Sequence, residues 1–93
     1  MSLRFKWDDA KARTNIRKHK VSFEEAKTVF NDPALVTYPD IAHSDAELRF
    51  VNIGQSDRGR VLIVMHTERD DSTRIISSRK ATSAERAMYD QGL

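Results

Sequence analysis

Cysteine is absent from this 93-residue chain, which removes disulfides, thiolate metal ligands and a thiol nucleophile together. Only three glycines and two prolines punctuate it, so there is no glycine-rich phosphate loop, linker, repeat or low-complexity tract. Gly54-Gln55-Ser56 reads as a turn. The longest apolar run, Val61 to Met65, is far short of the roughly 20 residues that a bilayer span needs. The opening MSLRFKWDD lacks the apolar stretch of a signal peptide, so a cytoplasmic setting is expected. His19, His43 and His66 are far apart and show no ligand spacing, which argues against a metal site, and no stretch requires a cofactor. His66-Thr67-Glu68 has the His-x-Glu opening of zinc deaminases but not the cysteine pair that those enzymes need. Aromatics suited to base stacking are few, which weakens a general nucleic-acid-binding domain as a reading.

What is present is charge, unevenly spread. Residues 1–20 hold seven lysines and arginines against two aspartates, a net +5, whereas residues 21–48 hold one lysine against six acids, a net −5. Such asymmetry suits one surface for a polyanion and another for a basic partner; solvated faces would be the plainer explanation. The length sets an expectation of one domain, residues 1–93, large enough to bury one core.

Leu3, Phe5 and Trp7 alternate with Arg4 and Lys6 at the period of a half-buried strand. Asp8 can cap a helix over about 9–18, with cations in its last turn. Ser22 and Glu25 have capping-box spacing, and Phe23, Ala26 and Phe30 recur at helical spacing, predicting a second helix over 23–31 that the NDP at 31–33 ends. A short edge segment at 35–38 precedes three strands at 48–54, 60–68 and 73–79, joined by turn-like connections short enough for antiparallel hairpins. Thr82 and Glu85 repeat the capping-box spacing and open a C-terminal helix carrying Arg86, Met88 and Tyr89. The order predicts an α+β fold: a small antiparallel sheet with two N-terminal helices and one C-terminal helix, packed largely on one face with the other face or its rim open for a ligand.

The last strands place His66, Glu68, Arg69, Arg74, Arg79 and Lys80 at their polar ends, with Tyr89 on the helix that follows. His66 and Glu68, two apart, share a face and Arg69 takes the other. These groups suit RNA cleavage by its own 2′-hydroxyl. Glu68 would accept the first proton, Arg74 and Arg79 would offset charge on the phosphoryl oxygens, and His66 or Tyr89 would protonate the leaving oxygen. Arg49 would hold a neighbouring phosphate. Each also has a plain structural role open to it: Glu68 in a surface pair, Tyr89 packed on the sheet, His66 hydrogen-bonded at the core edge.

The ordered set FKWDDAKARTNIRKHKVSFEEAKTVFNDP, His43, the ELR at 47–49, GR at 59–60, TER at 67–69, RIISSRKA at 74–81, Glu85 and Tyr89 resembles the BrnT family of bacterial ribonuclease toxins. The resemblance runs from Phe5 to Tyr89. It implies a type II toxin with the RelE-like microbial ribonuclease fold that cleaves mRNA without a metal and inhibits translation. It further implies a BrnA-type ribbon-helix-helix antitoxin, with operator DNA bound only through the complex. The family's familiar stretches fall on Trp7-Asp8, Asn15, Lys18-His19, VSFEEA at 21–26, Arg74 and Arg79; Lys18, His19, Arg49 and Lys80 are candidates for RNA binding. A helix C-cap explains Lys18 and His19 equally well. Two positions depart from the pattern: Lys20 stands where glycine usually follows Lys-His, and Ser78 where alanine is common. The alternative is a degenerate toxin surviving as an antitoxin-binding corepressor, with the acidic 24–47 segment facing a basic antitoxin.

Overall fold

The computed structural model describes residues 3–92. Its elements are β1 (Phe5–Lys6), α1 (Asp9–His19), α2 (Phe23–Lys27), β2 (Val36–Pro39), β3 (Arg49–Gln55), β4 (Val61–Arg69), β5 (Ser72–Lys80) and α3 (Ser83–Gln91), with 3₁₀ turns at Thr28–Asn31 and Ile41–His43. The five strands form one sheet in the order β1-β5-β4-β3-β2. β2 to β5 are antiparallel.

Two expectations change here. The first strand is only two residues long and pairs in parallel with β5, Phe5 beside Thr73 and Lys6 beside Arg74. It joins its neighbour only after the whole chain has returned, so no hairpin dictates its direction. The second helix tightens to 3₁₀ after Lys27. There the Thr28 hydroxyl bonds back to the Glu25 carbonyl at 2.6 Å and accepts the Asp57 N–H at 2.9 Å, linking this turn to the β3–β4 connection.

The caps follow the sequence signals. Asp8 accepts the Lys11 N–H, Ser22 accepts that of Glu25, and Thr82 with Glu85 forms a complete capping box. α1 closes on Lys20 at φ 60°, the left-handed conformation that glycine would adopt at less cost.

Two of the three helices share one face of the sheet, in line with the expectation that they pack largely on one side, and α3 takes the other. α1, α2 and the following turn cover one face, where Val21, Phe23, Ala26 and Val29 pack on Leu62, Val64 and Ile75. Full burial of each large member contributes about 1.5–3 kcal/mol. α3 crosses to the other face, where Met88 and Tyr89 pack against the cluster of Val36, Val51, Ile53 and Ile63. No side chain of α3 is fully buried, so its position rests largely on polar ties.

Asn15 fixes α1 to the sheet. Its amide donates to the carbonyls of Val21 and Ser78 at 2.9 and 2.8 Å, and its carbonyl accepts the Ser78 N–H at 3.1 Å. β1 accompanies β5 only at Thr73 and Arg74, so the asparagine replaces a neighbouring strand at Ser78. On the same face, buried Glu25 accepts from the Ser56 hydroxyl at 2.7 Å and pairs with Arg60, holding the β3–β4 turn against α2. No helix among the described residues is long and apolar enough to cross a membrane.

Candidate active site

On the α3 side of the sheet, the end that α3 leaves uncovered is lined with cations. Hollows of about 320 and 520 Å³ lie there, and a third of about 330 Å³ adjoins them between α1 and β5. Arg49 borders the first two, Ile76 the first and third, and His19 and Ser77 the second and third, so they read as one groove. Arg69 and Arg74 line the first hollow, Arg79 the second, and Lys18 the third.

One irregularity in β5 makes this possible. Arg74 and Arg79 are five residues apart, an odd spacing that would put them on opposite faces of a regular strand. The register moves from Ile75 opposite His66 to Ser77 opposite Met65, leaving Ile76 as an extra residue. Arg74 therefore pairs with Thr67 and Arg79 with Ile63, positions that share a face. The bulge puts both guanidinium groups over the groove.

Carboxylates already accompany two of these cations. In the first hollow Glu47 receives two hydrogen bonds from Arg69, one from Nε at 2.8 Å. That bonding holds the Glu47 carboxyl below its usual range, with the fields of Arg74 and Arg49 adding to it. In the second, Arg79 donates to both oxygens of Glu85 at 2.7 and 2.9 Å. Chiefly through Arg79, the Glu85 carboxyl is lowered to about 2. The same hollow holds Tyr38, His19 and His43, and the His43 Nδ1 is 2.9 Å from Asp40.

Of the residues singled out from sequence, Arg49, Arg74, Arg79, Lys18 and His19 meet at this groove. Glu68 and His66 do not: they face the helix-covered side and border a separate cleft of about 260 Å³ with Phe30, Phe50 and Thr73. The expected single centre is thus divided by the sheet, because Glu68 and Arg74 have opposite parity on paired strands. Buried His66 stacks on Phe50 and meets Phe30 edge-on. Asn52 spends its oxygen on the Thr37 hydroxyl and donates to the Val64 carbonyl and to His66 Nδ1, leaving Nε2–H to donate to Glu68 at 3.0 Å. Burial pushes this imidazole below its usual range, and Glu68 opposes that only in part.

Tyr89 is also turned away. Its hydroxyl donates to Asp32 at 2.5 Å, which raises its titration to about 12. Lys80 lies at the end of β5 and borders none of the three hollows. Of the six acids in the 24–47 segment, Glu25, Asp32, Asp40 and Glu47 are engaged by Arg60, Tyr89, His43 and Arg69, while Glu24 and Asp45 are exposed. Sequence reasoning missed Glu47 and His43 as groove residues, and it named Arg69 in the strand-end cluster without giving it a role. The doublets Ile75-Ile76 and Ser77-Ser78, which break the alternation in β5, were the available trace of the bulge.

The fold is shared with a crystallised protein, the Brucella abortus ribonuclease toxin BrnT, at a TM-score of 0.68 and 22% identity over 88% of this chain and 100% of that one. No protein of curated function matches the chain. By class it is a ribonuclease toxin of a type II toxin-antitoxin system, since the family profile matching residues 7–85 is that of "Ribonuclease toxin, BrnT, of type II toxin-antitoxin system". The chain belongs to the BrnT family.

Proposed function

We propose that this BrnT-family toxin is a cytoplasmic endoribonuclease that cleaves mRNA by 2′-hydroxyl attack without a metal, inhibits translation, and is neutralised by a ribbon-helix-helix antitoxin of BrnA type. The observation that carries the reading is the convergence of Arg49, Arg69, Arg74 and Arg79 on one open groove. A single RNA strand laid along it meets guanidinium groups in succession, each able to bind two phosphate oxygens. Arg79 and Arg49 would flank the scissile phosphate, and Arg69 with Arg74 the next one. Glu47 and Glu85 act as internal counter-ions that an RNA phosphate displaces. Donors directed at the phosphoryl oxygens stabilise the charge that builds there as O2′ attacks.

Glu68, His66 and Tyr89 lie outside this groove and act as structural groups in this reading. The antitoxin would neutralise the toxin by covering the arginines with its own carboxylates, and operator DNA would be reached only through the complex. The corepressor alternative draws on a specific observation, that Arg69 and Arg79 each already hold a carboxylate. RNA cleavage by the free protein separates the two.

In the test, the chain and its Arg79→Ala variant are expressed without antitoxin, and the purified proteins are incubated with RNA in EDTA. The unsubstituted protein should arrest growth and cut RNA, with the variant slower by about 10²–10³-fold. Intact RNA and normal growth with both proteins would refute the enzymatic reading.

A further inference from the structure

The groove as described binds phosphate but has no assigned groups to move protons, since the sheet places Glu68 and His66 on its far side. Two histidines fill that need. His43 follows β2 in a 3₁₀ turn, His19 ends α1, and both border the hollow that holds Arg79 and Arg49. We propose that His43 is the general base and His19 the general acid of the cleavage reaction, with Asp40 as the residue that positions His43. This inference rests on the endoribonuclease reading.

The turn that carries His43 is anchored next to Arg49. The Asp40 N–H donates to the Arg49 carbonyl at 2.8 Å, while the Ser44 hydroxyl donates to the Asp40 carbonyl at 2.7 Å and accepts the Arg49 N–H at 2.9 Å. The Asp40 carboxylate can only accept, so the His43 Nδ1 carries the hydrogen of their 2.9 Å bond and Nε2 is left with a free lone pair. The His43 side chain is 70% exposed, open to a nucleotide, whereas that of Asp40 is 16% exposed and held in place. A carboxylate behind a histidine stabilises the imidazolium that forms as the histidine takes a proton, which suits the base. His19 ends α1 and borders the same hollow, and with His43 as the base it is the remaining imidazole there to act as the acid.

The step balances as follows. Nε2 of His43 takes the 2′-hydroxyl proton, the O2′–P bond forms, the P–O5′ bond breaks, and O5′ leaves with the proton from His19. The products are a 2′,3′-cyclic phosphate and a 5′-hydroxyl end. The charged and titratable groups around His43 in this hollow are Asp40 on its own turn, Tyr38 from β2, Arg49 from β3, Arg79 from β5, Glu85 from α3 and His19 from α1.

The experiment uses the full chain with two substrates: an oligodeoxynucleotide holding a single ribose, and uridine 3′-(p-nitrophenyl phosphate), whose leaving group needs no proton. Rates are followed against pH, and affinity is read with the all-deoxy oligonucleotide. His43→Gln should slow cleavage of both substrates by about 10²–10⁴-fold with affinity kept within about threefold. His19→Gln should slow the oligonucleotide similarly while leaving the nitrophenyl ester near the unsubstituted rate. Asp40→Asn should cost about tenfold in rate, move the acidic limb of the pH profile, which the base governs, and change the tautomer of His43 read from its ring ¹⁵N shifts. Wild-type rates in His43→Gln, or equal loss on both substrates in His19→Gln, would overturn the assignment while leaving the endoribonuclease reading intact. No cleavage by the unsubstituted protein would overturn both.

Discussion

Replacing Glu85 by glutamine separates the two functions that the structure gives to one carboxylate. Glu85 closes the capping box at the start of α3 and clamps Arg79 through both oxygens. Glutamine can keep the capping box, so the variant removes mainly the charge. The carboxyl falls from 4.5 to about 2, which at about 1.4 kcal/mol per unit corresponds to roughly 3 kcal/mol. The Arg79 side chain is 42% exposed, however, so solvent screening reduces the expected cost at pH 7 to about 1–2 kcal/mol. A depressed carboxyl stabilises the fold above its unfolded value, and that contribution is lost as pH falls through its folded value. The stability gap between the two proteins should therefore be full at pH 7, narrow below pH 4.5 and close near pH 2. Urea unfolding at pH 7, 4 and 3, followed by the fluorescence of Trp7, which packs edge-on against Phe23, gives the gap directly. Equal midpoints at pH 7, or a gap that stays constant as pH falls, would refute the reasoning. The released Arg79 should also bind inorganic phosphate more tightly.

Two substitutions toward the family pattern should stabilise the protein. Lys20→Gly relieves the left-handed end of α1 at φ 60° and should add about 0.5–1 kcal/mol, a rise in Tm of roughly 2–8 °C by calorimetry. Ser78→Ala removes a buried hydroxyl that lacks a hydrogen-bond partner and should add up to about 1 kcal/mol, read as a shift in urea midpoint at constant slope.

The fold was largely legible because its signals are local. Asp8, Ser22 and Thr82 each cap the helix that follows, and the turn residues at 55–59 and 69–72 each join antiparallel strands. The side of the sheet on which each helix rests was not legible. Val61 to Met65 is apolar on both faces, so its pattern does not distinguish the face under α1 from the face under α3. The candidate site was half legible for the same reason. Arg49, Arg74 and Arg79 were found by their chemistry, but which of them share a face depended on Ile76 being extra in its strand. Glu68 and His66 looked adjacent to the arginines because sequence separation carries no sign for the two sides of a sheet. His43 was passed over because its partners in the groove, His19 and Arg79, are brought near only by tertiary packing.

The clamp that Asn15 makes on Ser78 has a consequence for how this small protein fails. Among the described residues, no strand lies beside the outer border of β5 past Arg74, and one amide on α1 satisfies both main-chain groups of Ser78 there. If α1 lifts away, the hydrogen-bonding groups of that border become a template on which another chain can extend the sheet. The helix that presents His19 to the groove is thus also a guard against self-assembly, and damage to its seat would be expected to remove the protein from solution before it merely slowed catalysis.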